Sequence, residues 1–322
     1  MVDIVKVNQL KKYFPVTSGV FLRQSGYVHA LDGVSFSLKK GETLGIVGES
    51  GCGKTTLGRC VMGLIEPTSG DITIKGKMFS RAHVIPQKEL ASNLQMIFQD
   101  PFESLDPRQT VRQILEEKYI IHGKKKRALD SEIHHLIEQV GLLPDSLSKF
   151  PHEFSGGQRQ RIGIARAISL DPEIIVCDEP VSALDVSVQS KILNLLLELQ
   201  QKRGLSYIMI SHDLSVVRHV SDRIAVMYSG KIVETADTGE IYENARHPYT
   251  RALLSSIPIP YPGSRKNRIL LKGEVPSAER PPIGCRFNTR CGYVKDICFE
   301  KEPILFSLED KPGHFSACHF FH

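Results

Sequence analysis

Positions 48–55 carry the stretch Gly48-Glu49-Ser50-Gly51-Cys52-Gly53-Lys54-Thr55, which fits the pattern G-x-x-x-x-G-K-S/T at every fixed position. A short apolar run, 43–47, precedes it, and a helical pattern follows from about residue 54 to 62. Glycines let backbone N–H groups turn inward around phosphate oxygens, and a helix N-terminus adds partial positive charge. The stretch therefore predicts a phosphate-binding loop after the first strand of a parallel α/β sheet.

The side chains of this loop suit a nucleotide with its magnesium ion. Lys54 would place a point charge on the β- and γ-phosphate oxygens, and the Thr55 hydroxyl is the expected Mg²⁺ ligand. A glycine-rich turn with a chance lysine is the alternative, and the flanking strand and helix argue against it. The residues expected to contact the nucleotide are Gly48, Ser50, Gly51, Cys52, Gly53, Lys54, Thr55 and Thr56.

An acidic pair ends a second apolar run, 174–177. Asp178 would lie at the carboxyl edge of the sheet, where ligands bind in open α/β folds, and could hold Mg²⁺ through water. Glu179 is placed to polarise a water for attack on the γ-phosphate. An acidic pair after a strand is often only a helix N-cap, but together with a phosphate loop it predicts ATP hydrolysis.

Composition limits the classes of protein to which the chain can belong. The 322 residues are 41% hydrophobic and 24% charged, which excludes a disordered, collagen-like or coiled-coil protein. A formal net charge of +5 is too small to indicate nucleic-acid binding. There is no run of 18 apolar residues, and the N-terminus has no export-signal pattern, so we expect a cytosolic chain that does not span a bilayer.

The stretch Phe154-Ser155-Gly156-Gly157-Gln158-Arg159-Gln160-Arg161 resembles the LSGGQ signature of ABC-transporter ATPases, with phenylalanine in place of the usual leucine. Ser155 and the two glycines would open a helix over Gln158 to Ser169 and offer a hydroxyl and free N–H groups to an anion. The resemblance implies that Ser155, Gly156, Gly157 and Gln158 face the γ-phosphate held by a second subunit. An ordinary serine N-cap would explain the helix start but not the Gly-Gly-Gln that follows.

Other positions match the same family one at a time. Gln99 resembles the Q-loop glutamine that senses Mg²⁺ and the attacking water, and Asp185 ends a segment similar to the D-loop. His212 resembles the switch histidine that contacts the γ-phosphate. Phe14 fits the aromatic platform for adenine, although Tyr13 is an equally plausible stacker by chemistry. The resemblance thus implies a catalytic set of Glu179, His212, Gln99 and Lys54, with Mg²⁺ held by Thr55, Gln99 and Asp178.

The resemblance also implies an architecture. It is an α/β fold: a phosphate-loop (RecA-like) ABC ATPase core with an antiparallel β-subdomain, an inserted helical subdomain and a small C-terminal metal-binding extension. We assign residues 1–245 to the ATPase domain, with the helical subdomain at about 88–161. Residues 246–322, punctuated by prolines and poor in periodicity, form the extension.

Features beyond the core resemble the ATPases of dipeptide and oligopeptide importers, closest to the "F" type subunit. They are the segment 100–107 after Gln99, the segment 247–254 and the late cysteines, and the phosphate-loop sequence 48–54 itself shares the resemblance. Nickel, glutathione and antimicrobial-peptide importers share this architecture. A soluble ABC ATPase is less favoured because such proteins commonly fuse two cassettes, and an exporter's ATPase would not explain the extension.

The importer resemblance implies a membrane-bound complex. Its parts would be a second, related ATPase forming a heterodimer, two transmembrane permeases and an extracytoplasmic substrate-binding protein, with no nucleic acid. The chain would act at the cytoplasmic face of the cell membrane.

Four of the seven cysteines lie near the C-terminus, at Cys285, Cys291, Cys298 and Cys318, with 5, 6 and 19 residues between them. Structural zinc sites usually contain paired ligands two to four residues apart, and such a pair does not occur here. Four thiolates from a loop-rich segment suit an iron–sulfur cluster, and some relatives with this pattern carry a four-iron, four-sulfur (4Fe-4S) cluster. Zinc, with His314 or His319 as a substitute ligand, and four metal-free thiols are the alternatives.

Overall fold

A computed structural model describes residues 2–18, 23–80, 86–125, 129–257 and 268–321. The chain divides into two compact units, each described by itself. We call them the phosphate-loop unit, which comprises Met1–Lys39, Thr43–Val84 and Ile210–His322, and the signature unit, which comprises Lys40–Glu42 and Ile85–Met209.

The strands of the described residues are β1 (Asp3–Ser18), β2 (Arg23–Lys39), β3 (Thr43–Val47), β4 (Ser69–Ile74), β5 (Lys77–Phe79), β6 (Leu94–Ile97), β7 (Ile174–Asp178), β8 (Ser206–Ser211), β9 (Arg223–Tyr228), β10 (Lys231–Asp237), β11 (Phe306–Ser307) and β12 (Phe315–Ser316). The helices are α1 (Lys54–Val61), α2 (Gln87–Asn93), α3 (Pro101–Ser104), α4 (Val111–Ile121), α5 (Asp130–Gln139), α6 (Gly156–Ile168), α7 (Val186–Arg203), α8 (Leu214–Val220), α9 (Thr238–Asn244), α10 (Pro248–Ser255) and α11 (Ile297–Glu300). None of these helices is both long and apolar enough to cross a membrane.

The phosphate-loop unit begins with an antiparallel sheet in the order β2-β1-β4-β5. Val7 of β1 pairs with Phe36 of β2, and Val5 pairs with Ile74 of β4. The alternation that the sequence shows over 34–38 buries Val34 and Leu38 completely or nearly so, as a half-buried strand requires. The predicted antiparallel β-subdomain is therefore confirmed.

Five further strands of this unit follow the order β11-β12-β10-β9-β3. The pair β3 and β9 is parallel, with Val47 beside Val226, whereas β10 and the two short last strands are antiparallel. All five residues of β3 are buried, which explains its uninterrupted apolar sequence. The ends of β3 and β9 pack into a core that also contains Tyr249 and Phe287 from the C-terminal segment.

The signature unit contains three strands in the order β8-β7-β6. β6 and β7 are parallel, and Ile97 lies beside Cys177. The segment predicted as mostly helical, 88–161, contains most of α2, all of α3, α4 and α5 and the start of α6, but it also contains the fully buried strand β6. The sequence signal for β6 is weak because three apolar residues and Gln95, without flanking turn residues, fit a helix equally well.

Two helices of the signature unit test the predicted boundaries. α7 ends at Arg203, and its C-cap is Gly204 in the left-handed conformation with φ 65°, so Lys202, Arg203 and Gly204 are the helix-end signal that the sequence carries there. The helix predicted from Gln158 begins at Gly156, two residues earlier, because Ser155 is the N-cap.

Candidate functional site

The glycines of the phosphate loop are required by backbone geometry. Gly53 has φ 106°, and a Cβ atom there would collide with the carbonyl oxygen of Ala30. A Cβ on Gly48 would collide with the carbonyl oxygen of Met227. Gly51 has φ 78°, a conformation that residues with side chains rarely adopt. Only glycine therefore lets the chain turn this tightly against β2 and β9.

The loop holds its lysine inward. Lys54 is only 5% exposed, and its Nζ donates hydrogen bonds to the carbonyl oxygens of Gly48, at 2.8 Å, and Glu49, at 2.9 Å. The Cys52 Sγ lies 3.7 Å from the same Nζ. Burial raises the pKa of the Cys52 thiol, although Lys54 opposes the shift. The ammonium group is thus the cation of the loop, and Cys52 is a neutral packing residue.

The loop leads directly into α1. Gly53 is the N-cap residue and has no side chain with which to cap the helix, and the half-buried Thr55 and Thr56 lie in the first turn. Oriented N–H groups at a helix N-terminus, next to a buried lysine, favour binding of a phosphate anion. The predicted loop residues therefore occur together in one continuous anion-binding arrangement.

The signature unit brings two predicted residues together. The Gln99 Nε2 donates to the Glu179 Oε2 at 3.0 Å, although the residues are 80 positions apart. Parallel pairing of β6 with β7 explains this contact because both residues follow the carboxyl ends of their strands. Asp178 ends β7 and is 3% exposed. Glu179 adopts φ +47°, a left-handed conformation that is uncommon for glutamate and that sequence analysis missed.

The signature segment forms a capping box at the start of α6. The Ser155 backbone N–H donates to the Gln158 Oε1 at 3.0 Å, and the Ser155 Oγ accepts from the Gln158 N–H at 3.4 Å. A Cβ atom on Gly157 would lie 2.5 Å from a methyl group of Val188, which shows that this glycine also permits close packing against α7. Ser155, Gln158 and Asp185 are exposed, and Asp185 is the N-cap residue of α7.

The structure distinguishes the two aromatic candidates at the N-terminus. The Tyr13 hydroxyl donates to Asp32 at 2.6 Å, and its ring lies 4.3 Å from the ring of His29, so its polar end is already bonded. Phe14 lies at 4.9 Å from the Lys12 ammonium group and is half-buried. His212 is exposed, between β8 and α8. The adenine contact of Phe14 and the role of His212 stay predictions.

Two contacts of the C-terminal segment were missed by sequence analysis. Arg290 forms an ion pair with Glu49 of the phosphate loop at 2.7 Å, and Arg286 forms one with the buried Asp32. Burial would raise the pKa of Asp32, but the Tyr13 hydroxyl, Lys231 and Arg286 together hold that pKa at about 2. The pairs are separated by 241 and 254 positions, so no local pattern could have indicated them.

The four late cysteines lie near one another. Burial, with smaller contributions from the other three thiols, raises the pKa of the Cys285 thiol to about 11, although the Phe287 N–H opposes the shift. The Cys285 N–H donates to the Cys298 carbonyl oxygen at 2.8 Å. Over the ranges that the structure describes, however, no three His, Cys, Asp or Glu side chains are close enough to hold one metal ion. The iron–sulfur cluster is thus still a prediction at this point.

The two histidines considered as substitute ligands are bonded elsewhere. The His314 Nε2 lies 2.8 Å from Glu234, and both side chains are buried. The His319 Nε2 lies 2.9 Å from the Lys301 carbonyl oxygen. These contacts disfavour the zinc alternative that uses either histidine.

Comparison with known proteins decides the family. A family profile described as "ABC transporter" matches residues 31–182, and one described as "Oligopeptide/dipeptide transporter, C-terminal region" matches residues 233–298. The oligopeptide transport ATP-binding protein AppF of Bacillus subtilis is 54% identical over 322 residues, which cover 99% of this chain and 97% of that protein. The chain is an ABC-transporter ATP-binding subunit of the oligopeptide/dipeptide family. It is therefore an ABC-type ATPase.

Further relatives agree with this assignment of the ABC ATPase. The dipeptide transport ATP-binding protein DppF of Haemophilus influenzae is 48% identical over 310 residues, covering 96% of this chain and 94% of that protein. Among solved structures, the dimeric post-hydrolysis state of the ATP-binding cassette MJ0796, bound to ADP and Pi, is 26% identical with a TM-score of 0.63. It covers 73% of this chain and 98% of the cassette.

Proposed function

We propose that this ABC ATPase hydrolyses ATP to power the import of dipeptides or oligopeptides. The observation that carries the proposal is the presence, on one chain, of a complete phosphate loop and the peptide-transporter C-terminal region. Relatives named for oligopeptide and dipeptide transport are 54% and 48% identical to this chain, over 99% and 96% of its length. The chain acts as a peripheral subunit on the cytoplasmic side of the membrane.

The phosphate loop binds ATP. Lys54 and the loop N–H groups neutralise the β- and γ-phosphates, and Phe14 stacks on adenine. The oxygen ligands of Thr55, Asp178 and Gln99 are the type that Mg²⁺ prefers, and the ion would neutralise charge on the phosphates.

Glu179 provides the general base. Its carboxylate holds Gln99 at 3.0 Å, a contact that orients an acid–base group and a water-positioning amide together. The strained backbone of Glu179 is the kind of feature that occurs at active sites. His212 then contacts the γ-phosphate, as the resemblance implies.

The signature segment needs a second subunit. Ser155, Gly156, Gly157 and Gln158 start a helix whose exposed N-terminus suits an anion, with Asp185 exposed at the start of α7. MJ0796, a bacterial cassette of similar fold, is dimeric with ADP and Pi. We infer a heterodimer with a related ATPase, coupled to two permeases and an extracytoplasmic binding protein.

The cysteines of the extension suit a cluster better than a single ion. The four cysteines lack the paired spacing of two to four residues that structural zinc sites usually have, and a 4Fe-4S cluster binds each of four thiolates through a different iron. Such a cluster would supply a covalent staple for a segment whose described strands are only two residues long. Cys285, Cys291, Cys298 and Cys318 would hold it.

The test has two parts. Affinity purification of the tagged subunit from detergent-solubilised membranes should recover two permeases and a second ATPase, identified by mass spectrometry. In the purified complex, Glu179→Gln should lower ATP turnover by about 10²–10⁴-fold while ATP binding persists, because it removes the base and keeps the shape. Recovery of soluble proteins alone would exclude the importer, and near-normal turnover of the variant would exclude Glu179 as the base.

A further inference from the structure

Glu49, the first variable residue of the phosphate loop, is bonded at every polar group. Its carbonyl oxygen accepts from the Lys54 Nζ at 2.9 Å, a contact within the loop. Its backbone N–H donates to the Tyr249 hydroxyl oxygen at 2.8 Å. Its carboxylate accepts two hydrogen bonds from Arg290, at 2.7 and 3.2 Å. Two of these three partners therefore belong to the C-terminal segment.

Arg290 is itself held firmly. Its side chain is 8% exposed, and its Nη1 also donates to the Tyr228 hydroxyl at 3.4 Å. Tyr228, Tyr249 and Phe287 form an aromatic cluster with ring centroids 4.6 to 5.5 Å apart. The Arg290 N–H donates to the Phe287 carbonyl oxygen at 3.1 Å, which joins the arginine to this cluster. Contacts other than the one with Glu49 therefore also hold Arg290 in place.

We propose that Arg290 is a positioning residue for nucleotide binding, which acts by clamping Glu49 of the phosphate loop. This inference rests on the proposed role of that loop. A planar guanidinium that donates two bonds to a carboxylate fixes both distance and direction, which one ammonium group cannot do. With Tyr249 on the N–H of the same residue, the clamp fixes the main chain where the loop begins its turn.

The clamp also has an electrostatic role. Glu49 adds a negative charge to a loop whose function is to bind phosphates, and Lys54 alone would have to offset it. Pairing with Arg290 neutralises that carboxylate in a partly buried setting, where the side-chain exposure of Glu49 is 27%. Removal of Arg290 therefore both frees the Glu49 side chain, leaving Tyr249 and Lys54 alone to hold that residue, and places an unpaired carboxylate beside the phosphates.

The experiment measures the affinity of the full-length subunit for a fluorescent ATP analogue. Arg290→Ala should weaken binding by about tenfold, since a hydrogen bond to a charged group is worth roughly that factor. Arg290→Lys should bind the analogue more tightly than Arg290→Ala but less tightly than wild type, because an ammonium group cannot form the paired hydrogen bonds that the guanidinium group makes to the Glu49 carboxylate. Arg246→Ala is the matched control, since Arg246 pairs with Asp310 at 2.6 Å in the same part of the fold without touching the loop.

Two further variants make the outcome specific. The charge swap Glu49→Arg with Arg290→Glu should restore affinity relative to Arg290→Ala, which a general loss of stability would not allow. If Arg290→Ala is insoluble, Glu49→Gln loosens the clamp without leaving an unpaired carboxylate, so it should weaken binding through the lost clamp alone, by less than tenfold. Equal affinities of wild type, Arg290→Ala and Glu49→Gln, or equal weakening by Arg246→Ala, would overturn the proposal.

Lys54→Ala separates this proposal from the proposed function. If Lys54→Ala abolishes binding while the Arg290 variants bind normally, the clamp is wrong and the phosphate loop stands. If Lys54→Ala binds normally as well, the role of the loop itself is wrong, and the clamp falls with it.

Discussion

The phosphate loop, 48–55, and the cysteine segment, 285–318, belong to the same unit but are organised by different means. The loop arranges its own groups: Lys54 bonds to carbonyl oxygens five and six positions earlier. The cysteine segment has a four-residue helix and two-residue strands, and its strong contacts reach residues more than 240 positions away. The lysine and glycines of the loop act within a local motif that meets distant residues at Glu49, whereas the cysteine segment depends on distant contacts throughout.

This difference explains what holds the extension in place. Arg286 and Asp32, 9% and 12% exposed at the side chain, form a nearly buried ion pair, while Lys231 and Tyr13 also bond to Asp32. Breaking such a pair leaves an uncompensated charge, which is strongly destabilising. The segment therefore gains order from contacts with residues in β1, β2 and β10.

We expect the largest effects from glycine substitutions, which should lower ATP affinity when made in the loop and protease resistance when made in the cysteine segment. Gly53 has φ 106°, and in Gly53→Ala the new Cβ atom collides with the Ala30 carbonyl oxygen. If the resulting strain of about 3 kcal/mol opposes the nucleotide-binding conformation, ATP affinity should fall by roughly 100-fold. Gly284→Ala, at φ 71°, should instead loosen the extension, because its Cβ collides with the Cys298 carbonyl oxygen. Nucleotide titration measures the loss of ATP affinity, and limited proteolysis measures the loosening of the extension.

Gly292→Ala serves as the control for both substitutions. Nothing lies within 4 Å of a Cβ at that position, although it is next to Cys291. It should leave nucleotide affinity and protease resistance unchanged. If Gly53→Ala and Gly284→Ala gave the same pattern in both assays, the two regions would not be organised differently.

Local signals explain which parts of the fold could be predicted. The phosphate loop, β3, α1, β7 and the end of α7 follow from glycine positions, apolar runs and capping residues that lie close together in sequence. β6 was missed because its four residues, three of them apolar, are too few to show a strand period, and the left-handed Glu179 has no sequence signature at all. Contacts such as Arg290 with Glu49 depend on chain topology, which a single sequence does not display.

Acid should affect the extension before the loop. His247 is buried, and burial lowers its pKa to about 4, although Glu234 opposes the shift. Its Nδ1 accepts from the Tyr249 N–H at 3.1 Å, which requires the unprotonated nitrogen. Since the folded pKa is below the ordinary value of about 6.5, the stabilisation is complete above pH 6.5 and is lost as the pH falls toward 4. We expect a loss of about 2 kcal/mol at pH 5.

Chemical denaturation between pH 7 and 5 measures this loss. His247→Asn keeps a cap acceptor for the Tyr249 N–H and removes the titrating ring, so its stability should depend less on pH than that of wild type. The buried pair of Glu234 and His314 is the same in both proteins, so its contribution cancels in the comparison. An unchanged slope in the variant would show that His247 does not govern acid sensitivity.

The cysteines should have the smallest effect on the loop. Cys291→Ser removes one of the four thiols, so we expect loss of bound iron and faster proteolysis of the extension. Because Cys291 is the neighbour of Arg290, the clamp on Glu49 should weaken without breaking, and ATP affinity should fall by about threefold. Iron content, proteolysis and nucleotide titration of anaerobically purified protein measure the three effects.

Cys60→Ser is the matched control, because Cys60 is fully buried in α1 and distant in sequence from the four late thiols. It should leave iron content unchanged. A Cys291→Ser protein with normal iron and normal protease resistance would show that the thiols do not staple the segment. A loss of iron with unchanged ATP affinity would show instead that Arg290 keeps its position without help from Cys291. The aromatic cluster, which includes the Tyr228 hydroxyl that Arg290 bonds, would then be enough to hold it.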